Sequence, residues 1–435
     1  MAQMSQHYVR TEMLEEQTPP LTEVGAIGWM RANLFSGWMN SILTILGAAF
    51  IVFVLYSVLP WILMSSWTAH SLDECRQAIQ AAYGEGTSGA CWAVIRERYN
   101  QLLFGFYPPE LYWRQIAAFV LMLVALSPVL FSNLPRKMLW FSVIYPFLGY
   151  WLLWGGSVWG PLMALAGFGV GYAAFRIVSP GVGTLAGVIA AILGPVIWWL
   201  FLAAPVAGFL HGIIPLGIEE VQSAKFGGFT LSITIGISGI VASLPLGIVL
   251  ALGRQSNLLI VKSICVGFIE FIRGVPLITL LFVASVLLNY FLPPGTSFDI
   301  ILRVVIMVTL FSSAYIAEVV RGGLAALPRG QYEAADALGL DYWKSMRLII
   351  LPQALKISIP GIVSSFIGLF KDTTLVMIIG LMDPLGLSNA IRANQAWNGI
   401  IWELYSFIAF MFFLFCFSMS RYSMYLERRL QTGHD

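Results

Sequence analysis

Two pairs of opposite charges stand inside apolar stretches in the second half of this 435-residue chain. Glu270 and Arg273 are three residues apart, and so are Glu318 and Arg321, which puts each pair on one face of a helix. A charge placed in hydrocarbon costs at least about 2.5–3.5 kcal/mol, so each group needs a partner or water. The pairs are either internal ion pairs that fix helix packing or a subunit contact, or they are groups that meet a charged ligand.

A third charged group is the run Lys371-Asp372-Thr373, which follows Pro360 by about a dozen residues. At about 1.5 Å per residue, the run lies roughly 15–18 Å along a helix that begins at the proline, near the middle of a membrane. Pro276 should kink or break its helix, because proline lacks an N–H and clashes with the preceding turn, and a broken helix frees backbone groups that can line a solvated cavity. The candidate pathway or gate residues are Glu270, Arg273, Glu318, Lys371, Asp372 and Thr373.

The sequence contains no clustered acid–base, nucleophile or metal-ligand set. Its four histidines are scattered, and the phosphate-cradling pattern G-x-x-x-x-G-K-[ST] is absent. We therefore predict no catalytic residue, no metal site and no ATP hydrolysis by this chain. The net charge of +2 gives no sign of nucleic-acid binding.

The elements that position these charges must be membrane helices. Apolar residues make up 58% of the chain and charged residues 11%, against roughly 45–50% and about 25% in soluble domains, and mean hydropathy is +0.81. These values exclude a soluble enzyme, a disordered chain and a coiled coil, and they argue against an outer-membrane barrel, whose hydropathy signal is weaker. We predict an all-α polytopic membrane protein with about ten transmembrane helices, eight or nine being the alternative.

Charge-free stretches locate these helices, since backbone groups in lipid must be satisfied within the segment itself. The predicted spans lie at about 40–64, 115–133, 138–154, 158–175, 183–207, 229–253, 272–292, 300–326, 360–382 and 402–425. Lys and Arg concentrate in alternate loops, so both termini are expected in the cytoplasm by the positive-inside rule.

The distribution of charges changes near residue 225: the predicted spans before it are nearly uncharged, whereas those after it have charges inside their apolar runs. Cys75 and Cys91 lie in a loop predicted to be exported. There they either pair as a disulfide in an oxidising compartment or remain two free thiols. The expected divisions are a cytoplasmic segment at 1–39, a membrane extension at 40–225 with the exported loop at 65–114, a membrane domain at 226–427 and a cytoplasmic tail at 428–435.

The segment 327–353 is predicted to form two short helices joined by a tight turn. Pro328 favours a helix start, Gly339 suits the left-handed residue that ends a helix, and Asp341 can cap the next one. We expect the second helix to run over 342–351 and to end at Pro352. The result is a helix–turn–helix without fixed ligands, which is suited to docking into a partner's groove.

This loop resembles the "EAA" signature of ABC-transporter permease subunits. The residues that match it, at every fixed position and spacing, are Glu333, Ala334, Ala335, Gly339, Ile349, Leu351 and Pro352. In that family the loop is the coupling helix that sits in a cleft of the ATP-binding subunit. The resemblance therefore implies that these residues carry ATPase closure into the membrane helices; the alternative is an amphipathic surface helix between two spans.

Other segments of 226–427 are similar to the polar amino-acid uptake subfamily, which imports histidine, arginine, glutamine, glutamate and opines. They are 228–231, 271–277, 317–323, 330–333 and 371–375, with Val275 and Thr374 departing from the commoner Thr and Ser. The long N-terminal extension is similar to the enlarged permeases of general L-amino-acid and glutamate/glutamine/aspartate/asparagine importers. The resemblance implies a five-helix permease core in the C-terminal half.

The implied function is that of a permease subunit in an ATP-driven, binding-protein-dependent amino-acid importer of the bacterial inner membrane, working by alternating access. The implied partners are an ATPase dimer that holds ATP and Mg²⁺ at the cytoplasmic face, a second homologous permease, a periplasmic amino-acid-binding protein, the amino acid and membrane lipid. Arg273 or Lys371 would meet the substrate carboxylate, and Asp372, Glu270 or Glu318 its ammonium. The alternative is a secondary transporter or channel without an ATPase, which leaves the loop signature unexplained.

Overall fold

The computed structural model describes residues 25–287, Tyr290 and 299–431. Nearly all of them are helical, which confirms the predicted all-α class. The α-helices are α1 (Gly25–Asn33), α2 (Trp38–Leu63), α3 (Leu72–Tyr83), α4 (Ala93–Phe104), α5 (Tyr112–Leu130), α6 (Leu139–Trp154), α7 (Trp159–Val182), α8 (Thr184–Ile197), α9 (Ala203–Ile213), α10 (Gly228–Arg254), α11 (Leu259–Gly274), α12 (Leu277–Phe282), α13 (Ile300–Ala325), α14 (Arg329–Ala337), α15 (Tyr342–Ser345), α16 (Leu351–Asp372), α17 (Pro384–Arg392) and α18 (Trp402–Gln431). Two short strands, β1 (Gly156–Ser157) and β2 (Gly217–Ile218), pair antiparallel.

Within the described ranges, eight helical runs are long and apolar enough to cross a membrane, or nine if the bent pair α11–α12 counts as one span. They are Trp38–Leu63, Pro109–Leu130, Trp159–Val182, Thr184–Ile213, Gly228–Arg254, Ile300–Ala325, Tyr342–Ile379 and Trp402–Leu430. The predicted span at 138–154 is not among these runs and forms the shorter helix α6. Its 16 residues extend about 24 Å, short of the roughly 30 Å of a hydrocarbon core, because Gly155 at φ +74° turns the chain.

The span predicted at 272–292 has the wrong start. Helix α11 already begins at Leu259 and ends at Gly274, and α12 resumes at Leu277 at an angle of 102°. Val275 and Pro276 between them are extended, because proline lacks an N–H and disfavours helical backbone in the residue before it. The break predicted at Pro276 is therefore confirmed, and residues 288–289 and 291–292 of the predicted span lie outside the described residues.

Helices α10, α13 and α16 form the centre of the C-terminal half, where glycines let the backbones approach closely. A Cβ added to Gly247 on α10 would lie 2.6 Å from the Ile316 side chain on α13. A Cβ added to Gly323 on α13 would lie 2.1 Å from Ser358 Oγ on α16. Small residues at such crossings are how membrane helices gain packing contacts in lipid. This centre fixes the charged residues of α13 and α16 relative to each other.

Helices α5 and α6 of the extension join this centre through a shared hydrophobic cluster and buried polar contacts. Arg114 is 1% exposed; its Nε donates to the carbonyl of Leu152 at 2.6 Å and its Nη1 to the carbonyl of Glu219 at 2.7 Å. The Tyr107 hydroxyl donates to the carbonyl of Leu153 at 2.7 Å, and burial raises the pKa of Tyr107 to about 12. The start of α5 is thus tied to the end of α6 and to the segment before α10.

By its internal contacts the chain separates into two units, the smaller being the described residues up to Ala69 together with Asp73–Trp92. In this smaller unit, Cys75 and Cys91 are joined by a disulfide. Of the two alternatives that the sequence leaves open for these cysteines, the structure contains the pair.

Replacing Cys75 and Cys91 together by serine is expected to lower the local free energy of unfolding by about 3 kcal/mol, because the disulfide closes a loop of this length in the unfolded chain. Limited proteolysis of the membrane-embedded chain within 65–92 measures the change. The matched control is the double replacement of the free cysteines Cys265 and Cys416 by serine. Mass spectrometry that finds both Cys75 and Cys91 alkylated without reduction would contradict the pairing.

Candidate functional site

The loop 328–352 forms the two short helices that the sequence predicts. Helix α14 follows Pro328, and Gly339 adopts φ +68° just beyond its end. Asp341 caps α15: its carboxylate accepts a hydrogen bond from the Lys344 backbone N–H at 2.9 Å, and Lys344 Nζ lies 2.9 Å away. The backbone hydrogen bond, followed by the contact with the ammonium, lowers the pKa of Asp341 below its ordinary value.

The prediction that the second helix ends at Pro352 is wrong. A π-helical turn at Met346–Ile350 follows α15 and leads into α16, and Pro352 occupies the first turn of α16. In a π turn each N–H bonds to a carbonyl five residues back, one residue further than in an α-helix. One N–H position has no helical partner where α-helical bonding resumes, so a proline, which has no N–H, is tolerated there. The loop is therefore continuous with one helical run, Tyr342–Ile379.

The loop has a packed side and an open side. Met346 and Ile350 pack with Leu324 at the end of α13 in one hydrophobic cluster. On the open side, Leu338 is 73% exposed and Trp343 is 71% exposed. Among the signature residues, Glu333, Ala334, Gly339 and Pro352 are exposed, Ile349 and Leu351 are half-buried, and Ala335 is buried. Large exposed apolar groups beside polar ones are typical of a protein contact surface.

Five charged side chains from three helices meet one to two turns from this loop. We call them the arginine–glutamate cluster: Arg254 of α10, Glu270 and Arg273 of α11, and Glu318 and Arg321 of α13. Arg254 Nη1 lies 2.7 Å from Glu270 Oε1 and 3.3 Å from Glu318 Oε2. Arg273 Nη1 lies 3.5 Å from Glu318 Oε2, and Arg321 donates to Glu318 Oε1. Glu318 therefore faces three guanidinium groups.

Of the alternatives that the sequence leaves open for the two pairs, Glu318 and Arg321 do form an internal ion pair, whereas Glu270 and Arg273 do not pair with each other. Arg273 instead turns to α13, where its guanidinium lies 5.7 Å from the centre of the Tyr315 ring. Glu270 instead binds Arg254, the last residue of α10.

Arg254 enters the site because α11 crosses the end of α10 and does not fold back along it. A Cβ added to Gly253 of α10 would lie 2.4 Å from Sγ of Cys265, which is midway along α11. Antiparallel packing would have placed Arg254 near the first residues of α11, far from Glu270. Whether Arg254 and Glu270 can pair thus depends on how α11 crosses α10, and local sequence does not specify that crossing.

Lys371 and Asp372 end α16, and Thr373 begins the 3-10 segment that follows. Lys371 is exposed and Asp372 half-buried, while Thr373 is buried and its Oγ1 donates to the carbonyl of Phe370 at 2.7 Å. The predicted helix start at Pro360 is wrong, since membrane helices tolerate a proline and α16 begins at Leu351. The run therefore lies about 30 Å from the start of α16, not 15–18 Å.

Chemically, the arginine–glutamate cluster suits a gate better than a reaction centre. Three guanidinium groups face two carboxylates, so the cluster carries one surplus positive charge that an anionic group can approach. Its ion pairs join α10, α11 and α13, so a relative movement of these helices would rearrange the cluster. Within the described parts of the chain, no group of three His, Cys, Asp or Glu side chains could hold a metal ion.

Comparisons with known proteins show which family the chain resembles. Residues 243–432 match the family of binding-protein-dependent transport system inner membrane components. Over 428 residues, which cover 98% of this chain and 99% of the relative, the chain is 60% identical to the glutamate/glutamine/aspartate/asparagine transport system permease protein BztC of Rhodobacter capsulatus. It is 41% identical to the inner membrane amino-acid ABC transporter permease protein YhdY of Escherichia coli, with 94% of each chain covered.

A shorter relative matches only part of the chain. The probable glutamine ABC transporter permease protein GlnP of Bacillus subtilis is 29% identical, and the match covers 95% of that protein but 48% of this chain. The resemblance predicted from the coupling loop is confirmed by the end-to-end matches: the chain belongs to the family of binding-protein-dependent amino-acid ABC transporter permeases.

Proposed function

We propose that this chain is the permease subunit of an ATP-driven importer for glutamate, glutamine, aspartate and asparagine, or for L-amino acids in general. The observation that carries the proposal is the exposed coupling loop, joined to the helices that bear the charged residues. The end-to-end similarity to BztC supports the substrate class. An ATPase pair that binds ATP and Mg²⁺, a second homologous permease and a periplasmic amino-acid-binding protein complete the assembly.

In this proposal, ATPase closure displaces the coupling loop and thereby two membrane helices. The packed side of the loop contacts the end of α13 through Leu324, and its second helix continues into α16. Displacement of the loop therefore reaches Glu318 on α13 and Lys371 on α16. The arginine–glutamate cluster holds α10, α11 and α13 together in one state, and its rearrangement accompanies the change of access.

The substrate itself needs a cation for its carboxylate and an anion for its ammonium. We assign these roles to Lys371 and Asp372, because Lys371 is exposed and forms no ion pair with any described residue. Asp372 beside it is half-buried and can accept from an ammonium group. Thr373 supports the turn through its hydrogen bond to the Phe370 carbonyl.

The chain is further proposed to lie in a bacterial inner membrane with both termini in the cytoplasm. The disulfide of the 65–114 loop supports this orientation, since disulfides persist in oxidising compartments. A membrane-impermeant reductant added to spheroplasts should open it without lysis. Reduction that requires lysis would place the loop on the other side.

Glu333→Arg is expected to abolish ATPase docking and uptake while the chain remains in the membrane, because it reverses the charge of an exposed residue on α14. The measurement is co-purification of the ATPase together with uptake of labelled glutamate in proteoliposomes. The matched control, Glu85→Arg, makes the same change in an exposed turn of the other unit. Normal docking in Glu333→Arg would contradict the proposed interface, and full uptake without any ATPase subunit would favour a secondary transporter.

Lys371→Ala is expected to reduce uptake about tenfold or more, as the loss of one charge-assisted hydrogen bond to the substrate predicts. The assembled transporter should retain its ATPase subunits, because Lys371 lies at the opposite end of α16 from the coupling loop. Lys262→Ala, which changes another exposed lysine, on α11, serves as the control. A Lys371→Ala transporter that assembles and imports at the full rate would remove Lys371 from the pathway.

A further inference from the structure

A cavity of about 820 Å³ lies between α5 and α6 on one side and α10, α13 and α18 on the other. All of its lining residues belong to the larger of the two units. Its wall is mostly apolar, with Phe119, Met122, Ile237, Val305 and Phe415 among its residues. None of the charged residues of the candidate site lines this cavity, so a molecule bound in the cavity would not contact them.

The carboxylates and amides that line this cavity lie just before or at the start of helices, whereas Thr230, Thr234 and Ser238 bring only hydroxyl groups along α10. Gln115 lies in the first turn of α5, Glu220 and Ser223 precede α10, and Asp299 precedes α13. From Thr230 to Ser238, α10 lines the cavity over about 12 Å, close to the depth of roughly 15 Å that one leaflet contributes to the hydrocarbon core. The hydroxyls of Thr230 and Thr234 donate to backbone carbonyls, which leaves the methyl groups and the neighbouring apolar side chains to line the shaft. A mouth with carboxylates and an amide above a mostly apolar shaft of leaflet depth matches the shape of an amphiphile.

Gln115 points to a ligand at this mouth. The residue is 2% exposed, and neither Nε2 nor Oε1 has a hydrogen-bond partner among the described residues. Buried amides in folded proteins are nearly always paired, because an unpaired one loses its hydrogen bonds to water without replacement. Since Gln115 lines the cavity, a bound molecule can supply the missing partners.

The charges at the mouth select the kind of head group. Glu220 and Asp299 line it, and none of the described lining residues is a lysine or an arginine. Asp299 also accepts hydrogen bonds from the N–H groups of Ile301 and Leu302, which hold its carboxylate at the start of α13. Two carboxylates repel an anionic head group and attract an ammonium.

We propose that this cavity is a binding site for a phospholipid of the phosphatidylethanolamine class. One acyl chain fills the apolar shaft, the head-group ammonium faces Glu220 and Asp299, and the Gln115 amide donates to an ester or phosphate oxygen. The lipid would sit between the extension and the permease centre, which gives α5 and α6 a role that the permease motifs do not supply. This inference stands independently of the proposed substrate and of ATPase coupling.

The test is native mass spectrometry and lipid extraction of the full chain, purified in mild detergent from membranes that contain both phosphatidylethanolamine and phosphatidylglycerol. We expect one ethanolamine phospholipid per chain, enriched over its share of the membrane. Gln115→Met should lower its retention about tenfold, as loss of one hydrogen bond to a charged group predicts. The matched control is Gln80→Met, which removes an exposed amide from α3.

The double variant Glu220→Gln/Asp299→Asn tests the head group, and asparagine preserves the helix cap at position 299. It should lose the preference for ethanolamine over glycerol lipid. Folding is checked by thermal unfolding without added lipid, where Gln115→Met should be at least as stable as the wild type because it removes an unpaired buried amide. Absence of bound lipid, equal retention of both lipids by the wild type, undiminished retention in Gln115→Met, or an amino acid bound in place of lipid would each overturn the proposal.

Discussion

Replacing Glu318 by glutamine is expected to lower the free energy of unfolding by about 2 kcal/mol, between the effect of breaking an exposed ion pair (less than about 1 kcal/mol) and that of breaking a buried one (about 3–5 kcal/mol). The carboxylate is 20% exposed and faces Arg254, Arg273 and Arg321. Among the described residues, Arg273 and Arg321 pair with no other acid, whereas Arg254 keeps Glu270. The variant would leave two guanidinium groups without a counter-charge inside an apolar span, where the charged form is costly.

Titration of the purified chain with a denaturing detergent in mixed micelles measures this change. The matched control is Glu270→Gln, which makes the same isosteric substitution in the same cluster. Glu270 is 54% exposed and binds one arginine, so its loss should cost less than about 1 kcal/mol. Equal effects of the two variants would show that Glu318 is not the centre of the cluster.

Transport provides a second measurement for the same pair of variants. If the cluster is the gate, Glu318→Gln should raise ATP hydrolysis in the absence of substrate, because the helices no longer share a carboxylate that holds one state. Glu270→Gln should leave this basal rate close to that of the wild type. An unchanged basal rate in Glu318→Gln, with the protein folded, would limit Glu318 to a structural role.

Much of the fold could be predicted because each membrane helix is specified locally. Charge-free stretches and the need to satisfy every backbone group indicate helices wherever they occur. The loop was predictable for the same reason: Gly339 and Asp341 act on their own neighbours through a left-handed turn and a cap. The effect of the prolines on helix ends was harder to predict. Pro352 and Pro360 each suggest the end of a helix, but both lie inside the single helical run Tyr342–Ile379, because a π turn accommodates Pro352 and membrane helices tolerate Pro360.

The candidate site could be predicted only where its contacts lie on one helix. Glu318 and Arg321 are paired by helical spacing alone. The contacts of Arg254 with Glu270 and of Arg273 with Glu318 depend on how α11 crosses its neighbours, and residue types do not specify that angle. Gln115 was missed because a lone amide in an apolar run is unremarkable until the surrounding helices close a cavity around it.

The paired glycines of α13 offer the second large effect. Gly323→Ala is expected to lower the free energy of unfolding by about 1–3 kcal/mol, the usual cost of overpacking. The added Cβ would lie 2.1 Å from Ser358 Oγ and 2.5 Å from the carbonyl oxygen of Ala354. The serine side chain can rotate, but the carbonyl belongs to the backbone of α16, so α13 and α16 must move apart.

Gly322 is a control one residue away on the same helix. A Cβ there would meet nothing within 4 Å, so Gly322→Ala should raise the free energy of unfolding by about 0.5–1 kcal/mol through reduced backbone entropy of the unfolded chain. The two alanine variants should therefore shift detergent-induced unfolding in opposite directions. Adding Ser358→Ala to Gly323→Ala should restore only part of the loss, because the Ala354 carbonyl still blocks the Cβ. Full restoration would show that the clash lies with the serine side chain and that α13 and α16 are not in backbone contact.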